Sequence, residues 1–289
     1  MLKITYIIVT YNSQDLIRDA IQSIYDFSDI NPSDFEVIIV DNSNNEMHQI
    51  LLKEISDLKS LYNIIIIHNI KNGGYGQGNN IGIKAAKGKI ISIMNPDVRL
   101  IEPLAKDVLH KFNSMHLGVL GYNQMGGGDY SFYIKPECRG FLSGWKMKLL
   151  NKINLFSETK HYLSGAFFFA DKQKFEEIGF FDENIFLYFE EPDISNRMIK
   201  AGYSINYDQS KKYVHLVGDR ISYSDFGFRN EMKSLSYYLK KYNIDEAKFL
   251  KTFLKEYSIK LKVAKLLSNK ERVQKFIEEI KVIKEVFKT

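Results

Sequence analysis

The first hundred residues alternate between two hydrophobic periods, and this alternation limits the fold more than any other feature of the chain. Short apolar, β-branched runs at 4–10, 35–40, 63–68 and 89–94 read as buried strands. Between them, 13–25, 46–58 and 79–86 carry helical spacing. In the first of these, Leu16, Ile17, Ala20, Ile21 and Ile24 share one face behind a cap at Asn12 or Ser13. Strands separated by helices in this way call for a parallel sheet with right-handed crossovers. Ligands in open α/β sheets bind beyond the carboxyl ends of the strands. Those ends carry Thr10-Tyr11-Asn12, Asp41-Asn42, the stretch 69–78, and Asn95-Pro96-Asp97.

Further along, 102–112 reads as a helix. Residues 117–160 lose any clear period, with Gly126-Gly127-Gly128 and scattered aromatics, and are expected to be irregular. A strand is expected at 162–170, where Gly165-Ala166 leaves room for something to approach the backbone. A helix at 191–201, strands at 203–207 and 212–215, and helix from 226 onward complete the pattern. There is no internal repeat, and 289 residues suit one large domain or one domain with an appendage.

Composition removes several function classes. An apolar fraction of 45% and a charged fraction of 26% are ordinary for a globular protein. No apolar stretch approaches the roughly 20 residues that span a bilayer. The first residues run straight into a strand without a signal-peptide cleavage region. Cys138 is the single cysteine, so neither an internal disulfide nor a cysteine-based zinc site can form. A cytoplasmic location is the expectation.

The net charge of +5 is unevenly placed. Residues 240–289 hold 14 basic and 7 acidic side chains, against 26 and 28 in the rest. Such a tail should favour anionic surfaces, membrane headgroups first. Its apolar residues recur at helical spacing, from Phe249, Phe253 and Tyr257 to Ile280, Ile283 and Phe287. They suit either a helical pair packed on the rest of the chain or a face turned toward lipid.

Candidate site residues each have a plain reading beside the chemical one. Thr10-Tyr11-Asn12 and Asp41-Asn42-Ser43 suit turns and helix caps; together they could read a base and ribose. The glycine-rich loop Asn72-Gly73-Gly74-Tyr75-Gly76-Gln77-Gly78-Asn79-Asn80 is either a flexible turn or a phosphate cradle at a helix start. It has no Walker Gly-Lys-Ser/Thr, and it does not follow the first strand as a dinucleotide fingerprint should. Asp97 is a turn residue or a metal ligand, and as a lone carboxylate it would hold Mg2+ or Mn2+ only with substrate phosphate and water. His215 is a packed strand-end histidine or a nitrogen ligand, which would favour manganese. Glu190, Glu191 and Asp193 open a helix, where acids also serve the macrodipole. The preceding run Phe186-Leu187-Tyr188-Phe189 could supply an apolar wall that raises a carboxylate toward the range of a general base.

As an ordered set these motifs resemble the inverting family 2 glycosyltransferases of the GT-A fold. The likeness is greatest to the rhamnosyltransferase-like branch used in bacterial surface-polysaccharide assembly. It is carried by Ile7-Ile8-Val9-Thr10-Tyr11-Asn12, Val40-Asp41-Asn42-Ser43, the loop 72–80, Asn95-Pro96-Asp97, Ser164-Gly165-Ala166, the block from Gly179-Phe180-Phe181-Asp182-Glu183 to Glu190-Glu191-Pro192-Asp193, and His215. It spans roughly residues 3–222.

The resemblance implies an α/β GT-A catalytic domain over 1–225, with a Rossmann-like, mostly parallel sheet. Its nucleotide-binding half covers about 1–115 and its acceptor half about 116–225, and a basic amphipathic helical extension covers 226–289. It implies donor binding by Thr10, Tyr11, Asn12, Asp41, Asn72, Gly74, Asn79, Asn95 and Asp97. Asp97 takes the metal-binding place of Asp-x-Asp, with His215 near metal and diphosphate. Glu190 and Glu191 take the place of the catalytic acidic pair, Glu191 aligning with the usual base; Asp193 and Gly165 support the acceptor side. Two departures stand out: Asn95 replaces the first acid of Asp-x-Asp, and Glu191 replaces the usual Asp.

The implied cofactor is Mn2+ or Mg2+. The implied donor is dTDP-rhamnose ahead of a UDP-hexose, and the acceptor a saccharide hydroxyl, lipid-linked, at the inner face of the plasma membrane. Nucleic acid is not an expected partner. The rival readings are a nucleotidyltransferase or other nucleotide-sugar enzyme, which would want a basic glycine-rich signature near the first strand, and a non-catalytic sugar-nucleotide-binding subunit.

Overall fold

All four apolar runs near the N-terminus form strands: β1 (Ile4–Thr10), β2 (Phe35–Asp41), β3 (Ile64–His68) and β4 (Ile90–Met94). The computed structural model describes residues 2–216 and 225–288; the stretch 217–224, where the span of the family resemblance ends, lies outside the described residues. Helices α1 (Gln14–Asp26), α2 (Asn45–Glu54), α3 (Ser56–Leu61) and α4 (Tyr75–Ala85) connect these strands. The helix expected over 46–58 is thus two, interrupted at Ile55, whose backbone leaves the helical region. Helix α4 starts earlier than 79, inside the glycine-rich loop. Its glycines let it lie close on the sheet: a Cβ at position 78 would crowd Val9, and one at 82 would crowd Ile7.

The chain continues through β5 (Val98–Leu100), α5 (Ala105–Lys111), β6 (Leu117–Met125), β7 (Phe132–Ile134), α6 (Ser143–Lys152), β8 (His161–Leu163), β9 (Phe167–Asp171) and α7 (Lys172–Glu177). It ends with α8 (Glu190–Lys200), β10 (Ser204–His215), α9 (Asp225–Lys241), α10 (Glu246–Leu266) and α11 (Lys270–Phe287). The main sheet has the order β3-β2-β1-β4-β9-β6-β10-β5, and β7 and β8 form a separate pair. Neighbours pair in parallel except around β9 and β5, so the sheet is mostly parallel and not wholly so.

The sheet must also curl. Strands β4 and β5 stand four places apart, about 19 Å in a flat sheet, yet the four Cα steps from Met94 to Val98 reach at most about 14 Å. The edge strand β5 accordingly folds back onto α1, where Leu100 N bonds to Ser23 Oγ at 3.1 Å. This curl sets the Asn95-Pro96-Asp97 turn among strand ends from both halves.

Three expectations are corrected. Residues 117–125 form a nine-residue strand inside the sheet. Gly118 and Gly121 make room for Met198 and Tyr203 and for Leu163 packed against the strand. The strand expected at 162–170 is two strands in different sheets, split at Ser164-Gly165-Ala166. The strands expected at 203–207 and 212–215 are one, β10, with a register break between Asp208 and Lys212.

One apolar cluster lies on each face of the sheet, and a third lies among α9, α10 and α11. Phe253, Tyr257, Ile283 and Phe287, part of the helical pattern of the tail, are buried in that third cluster with Met232, Leu235 and Leu239 of α9. Burying a Leu or Phe contributes roughly 1.5–3 kcal/mol, which explains why this face turns inward.

Candidate active site

The ends of β1 and β2 meet in register, Thr10 opposite Asp41. Asn42 N donates to Thr10 O at 2.8 Å, and Asn12 N to Ser43 Oγ at 2.8 Å. Asn12 has φ 50°, a left-handed conformation that asparagine tolerates. Tyr11 is left exposed beside these buried groups. Asp41 is fully buried; its Oδ1 accepts from Ser43 N at 3.0 Å and its Oδ2 lies 2.8 Å from His48 Nδ1.

His48 stacks on His68, with ring centroids 3.8 Å apart and planes 4° from parallel. Ligand atoms of Asp41, His48 and His68 all lie within 4.8 Å of one another, which makes them a possible cation site. Ring stacking opposes that use: in-plane lone pairs of parallel rings cannot converge on one ion. His68 Nε2 is also engaged with Ser43 O at 2.9 Å. What the two rings do here is hold Asp41 and the strand ends.

The glycine-rich loop packs as structure. Gly73 N donates to Gln77 Oε1, Gly74 N to Asn72 Oδ1 and Tyr75 N to Phe186 O, at 3.2, 3.3 and 3.0 Å. These three amides are therefore engaged within the protein. Gly74 has φ 94° and abuts Phe186 O, so only glycine fits. Asn72 has φ 40°, and Asn79 is buried with its Nδ2 on Tyr75 O at 3.0 Å.

Asp97 sits in the turn between β4 and β5. Asn95 N donates to Ala166 O at 2.8 Å, and Val98 N to Asn95 O at 3.1 Å, closing that turn. Arg99 clamps it from behind, donating to Pro96 O at 2.8 Å and Leu16 O at 2.9 Å. Val98 pairs with His215 across β5 and β10, which brings His215 Nε2 to 3.2 Å from Asp97 Oδ1. Residues 118 positions apart in sequence thus face each other as the resemblance implies. Both ring nitrogens of His215 are buried, and neither has a hydrogen-bond partner among the described residues. A nitrogen so placed beside a carboxylate fits a divalent cation, and this donor set suits manganese at least as well as magnesium.

Glu190 and Glu191 open α8 after Tyr188 and Phe189, whose φ values of 69° and 72° turn the chain sharply. That turn sends Phe189 onto Tyr238 of α9, ring centroids 5.9 Å apart. The aromatic run is therefore not the wall around the acids. Val119, Leu163, Phe168, Ile194 and Ile205 supply it, lining a small cavity with Glu191. The carboxylate of Glu191 rests against the bare Cα of Gly165, where any Cβ would overlap Oε1. This is the close approach that Gly165-Ala166 allows for.

Burial raises the Glu191 carboxyl to about 7, opposed by a backbone hydrogen bond at the helix start. Glu190 is also held well above its ordinary value, by burial and then by the neighbouring Glu191 charge. Its Oε1 is buried, with no hydrogen-bond partner among the described residues.

Asp193 points elsewhere. It is buried between Arg197 Nη2 at 2.7 Å, Lys241 Nζ at 2.5 Å and the Tyr242 hydroxyl at 2.7 Å. Those contacts fasten α8 to α9, which is support and not contact with an acceptor.

Tyr75 was not singled out by the sequence beyond its place in the loop. Its hydroxyl donates to Gly165 O at 2.7 Å, and it lies within the electrostatic reach of Glu191, Glu190 and Asp97. No local pattern could have found it, because its partner is 90 residues away. His48 had one faint signal, a histidine on the inner face of the helix that follows Asp41.

Residues 5–179 match the family model "Glycosyl transferase family 2", and the chain belongs to that family. Its fold is GT-A: α/β, with a curled, mostly parallel sheet and a helical C-terminal region. The chain is 22% identical over 222 residues to the low-salt glycan biosynthesis hexosyltransferase Agl10 of Haloferax volcanii, covering 73% of this chain and 66% of that protein. It is 31% identical over 97 residues to the poly(ribitol-phosphate) beta-glucosyltransferase of Bacillus spizizenii, covering 33% of this chain and 15% of that protein. The chain thus spans less than two thirds of the length of either relative. Among solved structures, mannosyltransferase PcManGT from Pyrobaculum calidifontis, in complex with GDP-Man and Mn2+, superposes with a TM-score of 0.65 at 14% identity. That match covers 99% of this chain and 87% of the other. TarS 1-349 of S. aureus in complex with UDP gives 0.55 at 16% identity, covering 99% and 92%.

Proposed function

We propose that this chain transfers a hexosyl group from a nucleotide-diphosphate sugar to a saccharide hydroxyl, with inversion at the anomeric carbon, in the synthesis of a surface glycan. One observation carries the reading: a half-buried glutamate poised near pH 7 and seated on a glycine, with Tyr75 in electrostatic reach of both it and the strand-end Asp97 that faces His215.

The acceptor hydroxyl attacks the anomeric carbon from the face opposite the diphosphate. The carbon–oxygen bond to the diphosphate breaks with its electron pair going to the leaving group, and the hydroxyl proton passes to Glu191. Such general-base help is worth about 10²–10⁴-fold. Glu190 is raised by burial and then by the Glu191 charge, so ionisation of the base works against its own. Asp97 and His215 would hold Mn2+ or Mg2+, which when bound offsets charge on the diphosphate. Thr10, Tyr11, Asn12 and Asp41 form the nucleoside side, with Asn95 and the loop residues Asn72, Gly74 and Asn79 shaping the donor pocket.

In this reading the donor half covers about 1–115, the acceptor half about 116–225, and the extension 226–289 buttresses α8. For the donor, the branch resemblance favours dTDP-rhamnose, whereas the relatives named above are a hexosyltransferase and a glucosyltransferase, which favours a UDP-hexose. A lipid-linked acceptor accords with another relative, the GalNAc(5)-diNAcBac-PP-undecaprenol beta-1,3-glucosyltransferase of Campylobacter jejuni, 26% identical over 42% of this chain and 38% of that one.

The test is a nucleotide-sugar panel, dTDP-rhamnose and UDP-hexoses first, titrated calorimetrically with Mn2+, Mg2+ or EDTA. The anomeric configuration of the released or transferred sugar is then read by NMR. Metal-dependent binding of one donor and an inverted product are expected. Retention, or no donor bound by any member, overturns the reading.

A further inference from the structure

Helix α6 presents its apolar residues to solvent. Ser143 and Asn151 are its buried positions, and Asn151 fixes it to the neighbouring strand by accepting from Ser131 N at 2.9 Å and donating to Phe132 O at 3.0 Å. The opposite face carries Trp145 and Leu149, four residues apart and so aligned in one stripe, and Leu142 precedes them at the helix cap. Trp145 is 77% exposed, Leu149 58% and Leu142 51%. Ile153 and Leu155 prolong the exposed apolar surface past the helix end. Lys146, Lys148 and Lys152 stand exposed beside the stripe, and no acidic residue occurs between Glu137 and Glu158.

Helix α10 extends the same surface. Lys255 lies over the ring of Phe141, 5.0 Å from its centroid, and the next turns expose Ile259 and Val263. Tryptophan and leucine on the outer face of a helix flanked by lysines is the pattern of an interfacial helix. Among the described residues no helix is long and apolar enough to cross a membrane.

We propose that α6 docks this protein on an anionic lipid bilayer. The Trp145–Leu149 stripe enters the headgroup–acyl boundary, and the lysines beside it meet anionic headgroups. A second copy of the chain is a poorer occupant, since two such faces would bring like charges together.

Docking by this face also orients the site. Helix α6 packs on β7, β7 pairs with β8, and β8 runs into Ser164 and the Gly165 that seats Glu191. The acceptor side is thereby turned toward the bilayer; this orientation rests on the glycosyl-transfer reading, whereas the docking itself does not.

Trp145 is the only tryptophan in the chain, so intrinsic emission reports on this helix alone. The full chain is mixed with vesicles of phosphatidylcholine, with and without phosphatidylglycerol, at low and high salt. With anionic vesicles at low salt, emission should shift to the blue and be quenched by lipids brominated in the acyl chain. Leu149→Ala should weaken vesicle affinity about tenfold, and Lys146→Glu with Lys148→Glu at least tenfold.

Unshifted emission with anionic vesicles overturns the proposal, as does vesicle flotation without a Trp145 response, which would place docking on another face. A lipid-independent shift accompanied by doubled mass in light scattering overturns it in favour of self-association. Donor turnover is followed in the same samples. Turnover without docking refutes the docking face alone, and docking without turnover under any donor refutes the glycosyl-transfer reading alone.

Discussion

The two acidic centres of this site are built in opposite ways. Asp97 stands in a turn clamped by Arg99, whose guanidinium lies within reach of its charge, and faces His215 Nε2 at 3.2 Å. Glu190 and Glu191 stand at the start of α8, Glu191 among apolar side chains and against a glycine, Glu190 buried beside the Glu191 charge. A carboxylate among donors is suited to holding charge on a ligand. One stripped of them is suited to accepting a proton. Environments that separate two sets of carboxylates in this way assign their roles.

The largest expected effect falls on the first centre. Asp97→Ala should abolish transfer and weaken metal-dependent donor binding, measured by calorimetry with Mn2+ or Mg2+; wild-type activity that survives EDTA in full would sink the metal assignment. Glu191→Gln should lower turnover by about 10²–10⁴-fold while leaving donor affinity nearly unchanged. If Glu190→Gln produces that loss instead, the base is the other member of the pair, and the contrast drawn above moves by one residue.

Gly165→Ala probes the same contrast without touching a carboxylate. The added methyl would displace Glu191 Oε1, and a misplacement near 1 Å costs on the order of 10²-fold in rate. Donor affinity should stay the same, and normal turnover would mean that the seat of Glu191 does not matter.

The pH profile separates the centres next. Because the base must be ionised, turnover should rise through about pH 7, roughly tenfold per unit below it, and Glu191→Gln should lose this limb. A flat profile from pH 5 to 8 contradicts the assignment.

Stability carries the smallest effect. Burial raises Glu190 above its ordinary 4.5, so the folded state binds the proton more tightly than the unfolded one. That contribution is present below about 4.5 and is lost as pH rises toward the elevated folded value. Glu190→Gln should therefore stabilise the protein at pH 8 by about 1–3 kcal/mol and do little at pH 4, read by thermal unfolding. An equal effect at both pH values would mean that the buried charge is not the cause.

Local pattern sufficed for the first four strands and their helices, because hydrophobic period and turn residues act over a few residues. It also sufficed to mark Thr10, Asp41, Asp97 and the Glu190-Glu191 pair as strand-end or helix-start residues. The nine-residue strand β6 escaped it, since Gly118 and Gly121 break a sequence pattern yet fit side chains that arrive from Met198, Tyr203 and Leu163. Phe186 to Phe189 misled it, because two left-handed residues redirect Phe189 into the helical extension. Fold class, and the place of the acids after a strand end and at a helix start, were thus determined by the sequence alone. The seat of Glu191 on Gly165, the link from Tyr75 to that seat, the His48–His68 brace of Asp41 and the outward face of α6 were decided only by tertiary packing. Each depends on groups brought together by sheet curl or close backbone approach, which no neighbouring residue encodes.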